Sequence, residues 1–194
     1  MEKKDLYTLE ILNKIEGDEK ITQRDIALSL GMSLGIVNAF IKRIAKKGYI
    51  KITTIPSNRV KYLLTTKGMK EKASLTLKYL QYSMDFYKTV KNAVIESFKG
   101  LEEIKAKQII FYGAGEVAEI AYTYLTNTDL VLVGIVDDKK AGHVFFRYQI
   151  IDKERLKKIE YDKILITSFH SALQIKKNIK GLGIEEDKIL LLHK

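Results

Sequence analysis

The sequence predicts a chain of mixed class, an α+β segment joined by one long helix to an α/β segment. Three observations carry this. Apolar residues recur at helical spacing through the first 47 positions and then give way to two short β-prone runs. From 73 to 98 an apolar seam keeps coiled-coil spacing over more than three heptads. From 108 onward short apolar runs alternate with helical stretches, the pattern of a parallel sheet with crossover helices. The expected divisions are 1–68, 69–106 and 107–194.

Composition narrows the classes. The 194 residues are 46% hydrophobic, which excludes intrinsic disorder. Without cysteine there is no disulfide framework, iron-sulfur cluster or thiolate zinc site. His143, His170 and His193 lie too far apart in sequence to suggest a metal site, so none is expected. No apolar run approaches the roughly 18 residues of a membrane span, and no apolar segment follows Met1-Glu2-Lys3-Lys4-Asp5. A soluble, cytoplasmic protein is expected, with no membrane partner. The net charge of +10 is uneven: residues 1–72 hold 15 basic and 8 acidic side chains, and residues 38–72 hold ten Lys/Arg with Glu71 as their only acid. Such a patch suits a polyanion, and a solvated lysine-rich face is the other reading.

In the N-terminal segment Leu6, Leu9, Leu12 and Ile15 make an amphipathic helix that Gly17-Asp18 ends. Thr22 is the expected N-cap of a second helix, with Asp25 in its first turn and Ile26, Ala27 and Leu30 on its apolar face. Gly31 stops that helix and Ser33 caps a third, so two helices flank a short glycine-containing turn, as in a helix-turn-helix. In the third helix Leu34, Val37, Phe40, Ile41 and Ile44 should face the core. The opposite face presents Gly35, Asn38, Lys42 and Lys46, with Arg43 on its flank, a basic face suited to a major groove. Tyr49–Ile55 and Val60–Leu64 then form a hairpin around Pro56-Ser57-Asn58-Arg59, and Arg59 at the tip is placed to enter a minor groove. Gln23, Ser33, Gly35, Asn38, Lys42, Arg43, Lys46 and Arg59 are the candidate contacts to double-stranded DNA, and a protein-binding winged helix is the alternative.

Thr22-Gln23-Arg24-Asp25-Ile26-Ala27, Gly31 to Asn38, Lys46-Lys47-Gly48-Tyr49-Ile50 and Tyr62 to Gly68 carry a resemblance to the MarR-type winged-helix regulators, especially those associated with exopolysaccharide gene clusters. It covers roughly residues 5–90 and implies DNA binding and transcription control.

Leu77, Leu80, Met84, Tyr87, Lys91, Val94 and Phe98 form the seam of the long helix, which Gly100 is expected to end. A polar Lys91 within such a seam can fix register, so a homodimer through residues 73–98 is one reading, and packing of the stripe on the chain's own domains is the other. Tyr87 and Lys91 also match the Tyr-x-x-x-Lys spacing of some dehydrogenases, but they precede the nucleotide-type fold.

The strand Gln108–Tyr112 runs directly into Gly113-Ala114-Gly115-Glu116-Val117-Ala118 and a helix to about Thr126. In this G-x-G-x-x-A pattern the first glycine permits the turn, the second admits a phosphate to the backbone, and Ala118 allows close helix-strand packing. Leu130–Val136 is the next strand, ending in Asp137-Asp138, 24 residues after Gly113. An acid there suits a ribose diol and disfavours a 2′-phosphate, so NAD(H) or a nucleotide sugar is the expected ligand, with a ligand-free Asp-Asp turn as the other reading. Tyr161–Thr167 reads as a strand, Ala172–Lys180 as a helix and Lys188–Leu192 as a last strand. Ser168 and His170, at the end of the third of these strands, are candidate contacts, although helix capping by Ser168 or Ser171 is an equal reading.

Gly113-Ala114-Gly115 and Gly134-Ile135-Val136-Asp137-Asp138 carry a resemblance to the nucleotide-sugar-binding domains of bacterial sugar O-acyltransferases, over about 107–170. A winged helix ahead of a Rossmann-like domain also resembles the redox-sensing Rex repressors, from which the long intervening helix departs. The reading is a regulator with a nucleotide-sensing Rossmann-like sheet. No acid, base or nucleophile constellation stands out, and 88 residues leave no room for a substrate domain, so an enzyme is not expected. The alternatives are a small nucleotide-dependent oxidoreductase or sugar-modifying enzyme with an accessory winged helix, and a regulator with a ligand-free Rossmann scaffold, which Glu116 in the phosphate loop favours.

Overall fold

The computed structural model describes residues 1–55 and 59–192, with the side chains of Ile55 and Arg59 outside the description. The chain divides into two compact units, Met1–Asp85 and Phe86–Lys194.

In the first unit three helices, α1 (Lys3–Gly17), α2 (Gln23–Leu30) and α3 (Leu34–Lys46), precede an antiparallel hairpin of β1 (Ile50–Ile55) and β2 (Arg59–Leu64). Thr22 and Asp25 form a reciprocal capping box at the start of α2, and Gly31 ends it in the left-handed conformation at φ 60°. Ile11, Leu12, Ile15, Ile26, Val37, Ile41, Ile44 and Tyr62 make the core. The Tyr62 amide also donates to the Glu19 carbonyl, which ties the wing to the turn after α1. Leu34, expected in the core, is 40% exposed: the buried line of α3 is Val37, Ile41 and Ile44, and Leu34 stands one turn ahead of the core.

The long helix α4 is Thr66–Glu103, longer at both ends than the heptad seam implies. The Thr65 hydroxyl accepts from the Gly68 amide and so caps the helix start. Gly100 does not end it. The stop comes at Lys105, which takes φ 58° while the Ala106 amide donates to the Leu101 carbonyl, so a lysine fills the left-handed role that glycine usually takes.

The second unit holds a six-stranded sheet of β3 (Gln108–Tyr112), β4 (Val131–Val136), β5 (Val144–Phe145), β6 (Tyr148–Ile151), β7 (Lys163–Ile166) and β8 (Ile189–Leu191), with α5 (Glu116–Leu125) and α6 (Ala172–Gly181) between strands. The spatial order is β5-β6-β4-β3-β7-β8, parallel throughout except that β5 runs antiparallel to β6. Without β5 this is the doubly wound order in which the sheet reverses direction of growth between β3 and β7. Pleating sends Ile109 and Phe111 into one layer with Leu132, Ile135 and Leu165, and Ile110 and Tyr112 into the other with Val136, Ile164 and Ile166. The first layer is covered by α5 and by Val90, Val94, Phe98 and Leu101 of α4, and the second by Ile175 and Ile179 of α6.

That packing corrects the seam as a whole-length dimer contact. Val94 and Phe98 are core residues of the second unit, the Tyr87 hydroxyl bonds the Tyr124 hydroxyl at 3.1 Å, and the Lys91 ammonium sits 5.4 Å from the Tyr124 ring centroid. Leu77, Leu80 and Met84, by contrast, are 69%, 52% and 54% exposed.

Candidate functional site

Two regions gather the residues singled out above. On α3, Lys42, Arg43 and Lys46 are exposed, as are Gly35 and Ser33, and the Ser33 hydroxyl caps the helix by accepting from the Ile36 amide at 3.4 Å. Nothing lies within 4 Å of where a Cβ on Gly35 would stand, so this face is open at its N-terminal end. Two of the candidates are placed differently. Gln23 is half-buried and its amide donates to the Tyr62 hydroxyl at 3.0 Å, which bonds α2 to the wing. Asn38 is half-buried too, and its Oδ1 is buried without a hydrogen-bond partner. The Arg59 side chain, the Pro56-Ser57-Asn58 turn and His193 lie outside the described residues. Around the base of α3, Lys47 and Lys67 both stand over the Tyr49 ring, at 5.4 and 5.7 Å. The hydrogen bond from Lys78, aided by the nearby charges of Arg43 and Lys47, holds the Asp5 carboxyl below its ordinary range.

The second region lies at the carboxyl ends of β3 and β7, where the sheet reverses. A cleft of about 320 Å³ is lined there by Gly113, Ala114, Gly115, Glu116, Val117, Asp137, Ser168 and His170. The structure thus brings together all but one of the expected nucleotide contacts. The exception is Asp138, whose carboxylate accepts from the Tyr112 hydroxyl at 3.0 Å and stands 3.9 Å from the Lys153 ammonium. Burial pushes the Tyr112 phenol well above its ordinary value, and that hydrogen bond adds to the shift.

The loop geometry follows from its glycines. Gly113 turns at φ 115°, and a Cβ there would meet the Thr167 carbonyl oxygen at 3.0 Å, so both conformation and space require glycine. The Thr167 hydroxyl, itself buried, donates to the Gly113 carbonyl at 2.7 Å and ties the ends of β3 and β7 together. Gly115 is unlike Gly113. Its φ of −113° suits any residue and nothing lies within 4 Å of its Cβ position, so the fold does not need glycine there. Gly115 is also the N-cap of α5 and has no side chain to satisfy the first amides of that helix, which face the phosphate position expected of this loop.

Asp137 braces the loop instead of standing free. Its Oδ2 accepts from the Ala114 amide at 2.9 Å, and its Oδ1 accepts from the Lys139 and Lys140 amides at 2.9 and 3.2 Å. A carboxylate offers about four acceptor positions, so three are occupied and one is left open. The Lys140 ammonium donates to the Ala114 carbonyl at 2.6 Å, which brings a cation to the lip of the cleft. The Ser168 hydroxyl accepts from the Ser171 amide at 3.3 Å, a turn-forming role, while Ser171 occupies the N-cap of α6 without a side-chain bond. His170 and Glu116 are exposed.

Sequence reasoning missed four residues of this cleft: Phe86, Lys140, Thr167 and Phe169. Thr167 carries a signal, a hydroxyl closing the apolar run Ile164-Leu165-Ile166. Phe86 carries none, because it reaches the cleft from α4. Among the described residues no cluster of three His, Asp or Glu side chains is placed to hold a metal ion, and no single helix is long and apolar enough to cross a membrane.

Residues 4–51 match the family of winged helix-turn-helix DNA-binding domains, and residues 105–190 match the family described as C2185-like, N-terminal. No curated protein matches the sequence. Among solved structures, MepR, a transcription regulator of the Staphylococcus aureus multidrug efflux pump MepA, is 23% identical over 44% of this chain and 63% of its own, with a TM-score of 0.38. The S. aureus MepR-DNA complex gives the same identity and TM-score over 62% of that chain. PigF with SAH is 12% identical over 84% of this chain and 61% of its own, with a TM-score of 0.29. The chain therefore spans less than two thirds of the solved chains it is similar to. By helix order, hairpin and family match, the N-terminal unit is a winged helix-turn-helix of the DNA-binding kind.

Proposed function

We propose that the protein is a dimeric, DNA-binding transcription regulator whose Rossmann-like unit senses a nucleotide, NAD(H) or a nucleotide sugar. The observation that carries the reading is the pairing, in one chain, of a winged helix with Lys42, Arg43 and Lys46 exposed on α3 and a cleft whose glycine at 115 serves no need of the fold. Phosphate contacts from the α3 cations supply sequence-independent affinity, and the open face at Gly35 leaves room for base edges. In the cleft the amides at the start of α5 and the Lys140 ammonium favour an anion. The exposed Leu77, Leu80 and Met84 of α4 are the segment through which two copies associate. Control of surface-polysaccharide genes follows from the resemblance of residues 5–90 to the exopolysaccharide-associated MarR type.

A second reading is favoured by Asp137, whose carboxylate is largely occupied by backbone amides: the sheet is then a ligand-free scaffold. Fluorescence anisotropy of the full chain on its own upstream DNA, at two salt concentrations and with or without NAD, NADH and UDP-glucose, separates them. Salt-sensitive binding altered by one of these compounds supports the sensor. Ligand-independent binding supports the scaffold, and absence of DNA binding refutes both.

A further inference from the structure

One wall of the cleft comes from outside the segment that matches the C2185-like family. Phe86, on α4, lines the cavity beside the glycine loop and Lys140. Its ring meets Phe169, from the loop after β7, edge to face with centroids 6.1 Å apart and planes at 73°. An edge-to-face pair leaves the broad face of one ring uncovered by the other, and Phe86 is 40% exposed. Attachment of α4 to the sheet does not depend on it alone. The same helix is already held to the sheet by Val90, Val94, Phe98 and Leu101, all buried, and by the Tyr87–Tyr124 hydroxyl pair. An aromatic ring lining a cleft that also holds helix N-terminal amides and an ammonium suits a molecule that carries both a planar base and phosphate.

We propose that Phe86 is the base-stacking wall of the cleft, so that a nucleotide docks its aromatic base on α4 while its phosphates rest on the Gly113–Gly115 loop, and that cleft occupancy is passed to the winged helix through α4. This rests on the nucleotide-sensing reading and deepens it. A cleft of about 320 Å³ is at the small end for ligand sites, which suits a single nucleotide moiety and favours a nucleoside diphosphate over a dinucleotide. A shift between DNA-binding states requires that this contact with α4 differ between them, which is what the DNA-affinity arm of the test reads. The helix begins at Thr66, two residues after the wing strand β2 ends, so a load on Phe86 acts on the element that carries the winged helix.

The test uses the full-length protein with UDP, UDP-glucose, ADP and NADH as probes, measured by isothermal titration calorimetry and by anisotropy on the upstream DNA. Three variants are compared: Phe86→Ala, Phe86→Leu, which keeps apolar bulk and loses the ring, and Gly115→Asp, which blocks the loop. The expected result is that wild type binds at least one of the diphosphates, that both Phe86 variants weaken it by about tenfold or more while both remain folded by circular dichroism at the assay temperature, and that both lose the nucleotide-dependent change in DNA affinity. If wild type binds and Gly115→Asp abolishes binding, yet both Phe86 variants bind and respond like wild type, the role of Phe86 is overturned while the sensor reading stands. If wild type binds none of the probes, the sensor reading fails and this inference with it.

Discussion

Alanine at 113 and alanine at 115 are the same chemical change two residues apart, and the structure gives them opposite consequences. At Gly113 the backbone stands at φ 115°, a conformation that side chains rarely adopt and that costs on the order of 1–3 kcal/mol to impose on a non-glycine residue. The new Cβ would also stand 3.0 Å from the Thr167 carbonyl oxygen and 3.4 Å from the Ser168 Cβ. Neither side yields easily, because the Thr167 hydroxyl bonds the Gly113 carbonyl at 2.7 Å and the Gly113 amide donates to the Val136 carbonyl at 2.8 Å. Overpacking of about 1 kcal/mol brings the cost of Gly113→Ala to about 2–4 kcal/mol, or roughly 10–25 °C of melting temperature for a unit of this size. At Gly115 the φ of −113° is ordinary and the space is empty, and the entropy gained by losing a glycine opposes the poorer N-cap that alanine makes, so Gly115→Ala changes stability by no more than about 1 kcal/mol. Circular dichroism melts of the two variants beside wild type read both values. A loss at 115 equal to that at 113, or no loss at 113, refutes the assignment of one glycine to the fold and the other to a ligand.

Gly68→Ala is predicted to be the most damaging glycine change in the N-terminal unit, since its Cβ would lie 2.0 Å from the Tyr49 carbonyl oxygen; a loss of about 3 kcal/mol or more in urea unfolding is expected, and an unchanged midpoint refutes the packing. Replacing Lys42 and Lys46 together by alanine should lower the slope of log affinity against log salt by about 2 without altering the melting temperature, and an unaltered slope removes these side chains from the DNA contact. Asp162 accepts from the Lys107 and Gln108 amides at 2.7 and 2.8 Å, which holds its carboxyl below its ordinary value of 3.8. Its contribution to stability is therefore complete above about pH 4 and is lost as pH falls below that toward the depressed value. Asp162→Asn should flatten this acid limb in urea midpoints taken from pH 2 to 7, and an identical limb refutes the role. Leu77→Asp with Leu80→Asp should convert a dimer to a monomer in sedimentation velocity, and an intact dimer moves the interface elsewhere.

What was legible in the sequence was local. The Thr22–Asp25 box, the Gly31 stop and the glycine loop each concern residues within a few positions of one another, and their spacing is set by backbone geometry alone. Misreadings arose where tertiary packing changed the meaning of a residue. Gly68 is a first-turn residue whose lack of a side chain lets α4 touch the Tyr49 backbone, so the helix begins ahead of the 69–106 division that the sequence suggests. Gly100 looks like a stop, but nothing crowds it and the chain turns at Lys105. The β5–β6 hairpin went unseen because its two turn residues are Phe146 and Arg147, with Phe146 at φ 50° in place of the expected glycine. In the cleft, Asp137 was found by its strand end, while its bond to the Ala114 amide joins positions 23 residues apart and has no sequence signature.

The seam of α4 shows why periodicity fixes a face and leaves its partner open. A continuous 4-3 spacing from Leu77 to Phe98 requires only that one side of the helix be covered. The structure divides that side. From Val90 onward the cover is the chain's own sheet, with Val90 and Val94 fully buried and Phe98 stacked near Phe111 at 6.4 Å. Leu77, Leu80 and Met84 carry the same spacing with no such cover. Phe86 and Tyr87 lie where the two regimes meet, one lining the cleft and the other bonded to Tyr124. On the reading proposed above, a ligand on Phe86 therefore acts at the point where a helix anchored to the sensing sheet passes into its association segment. If α4 couples the units as proposed, one binding event there would bear on both the association segment and the winged helix, and a site deeper in the sheet would not.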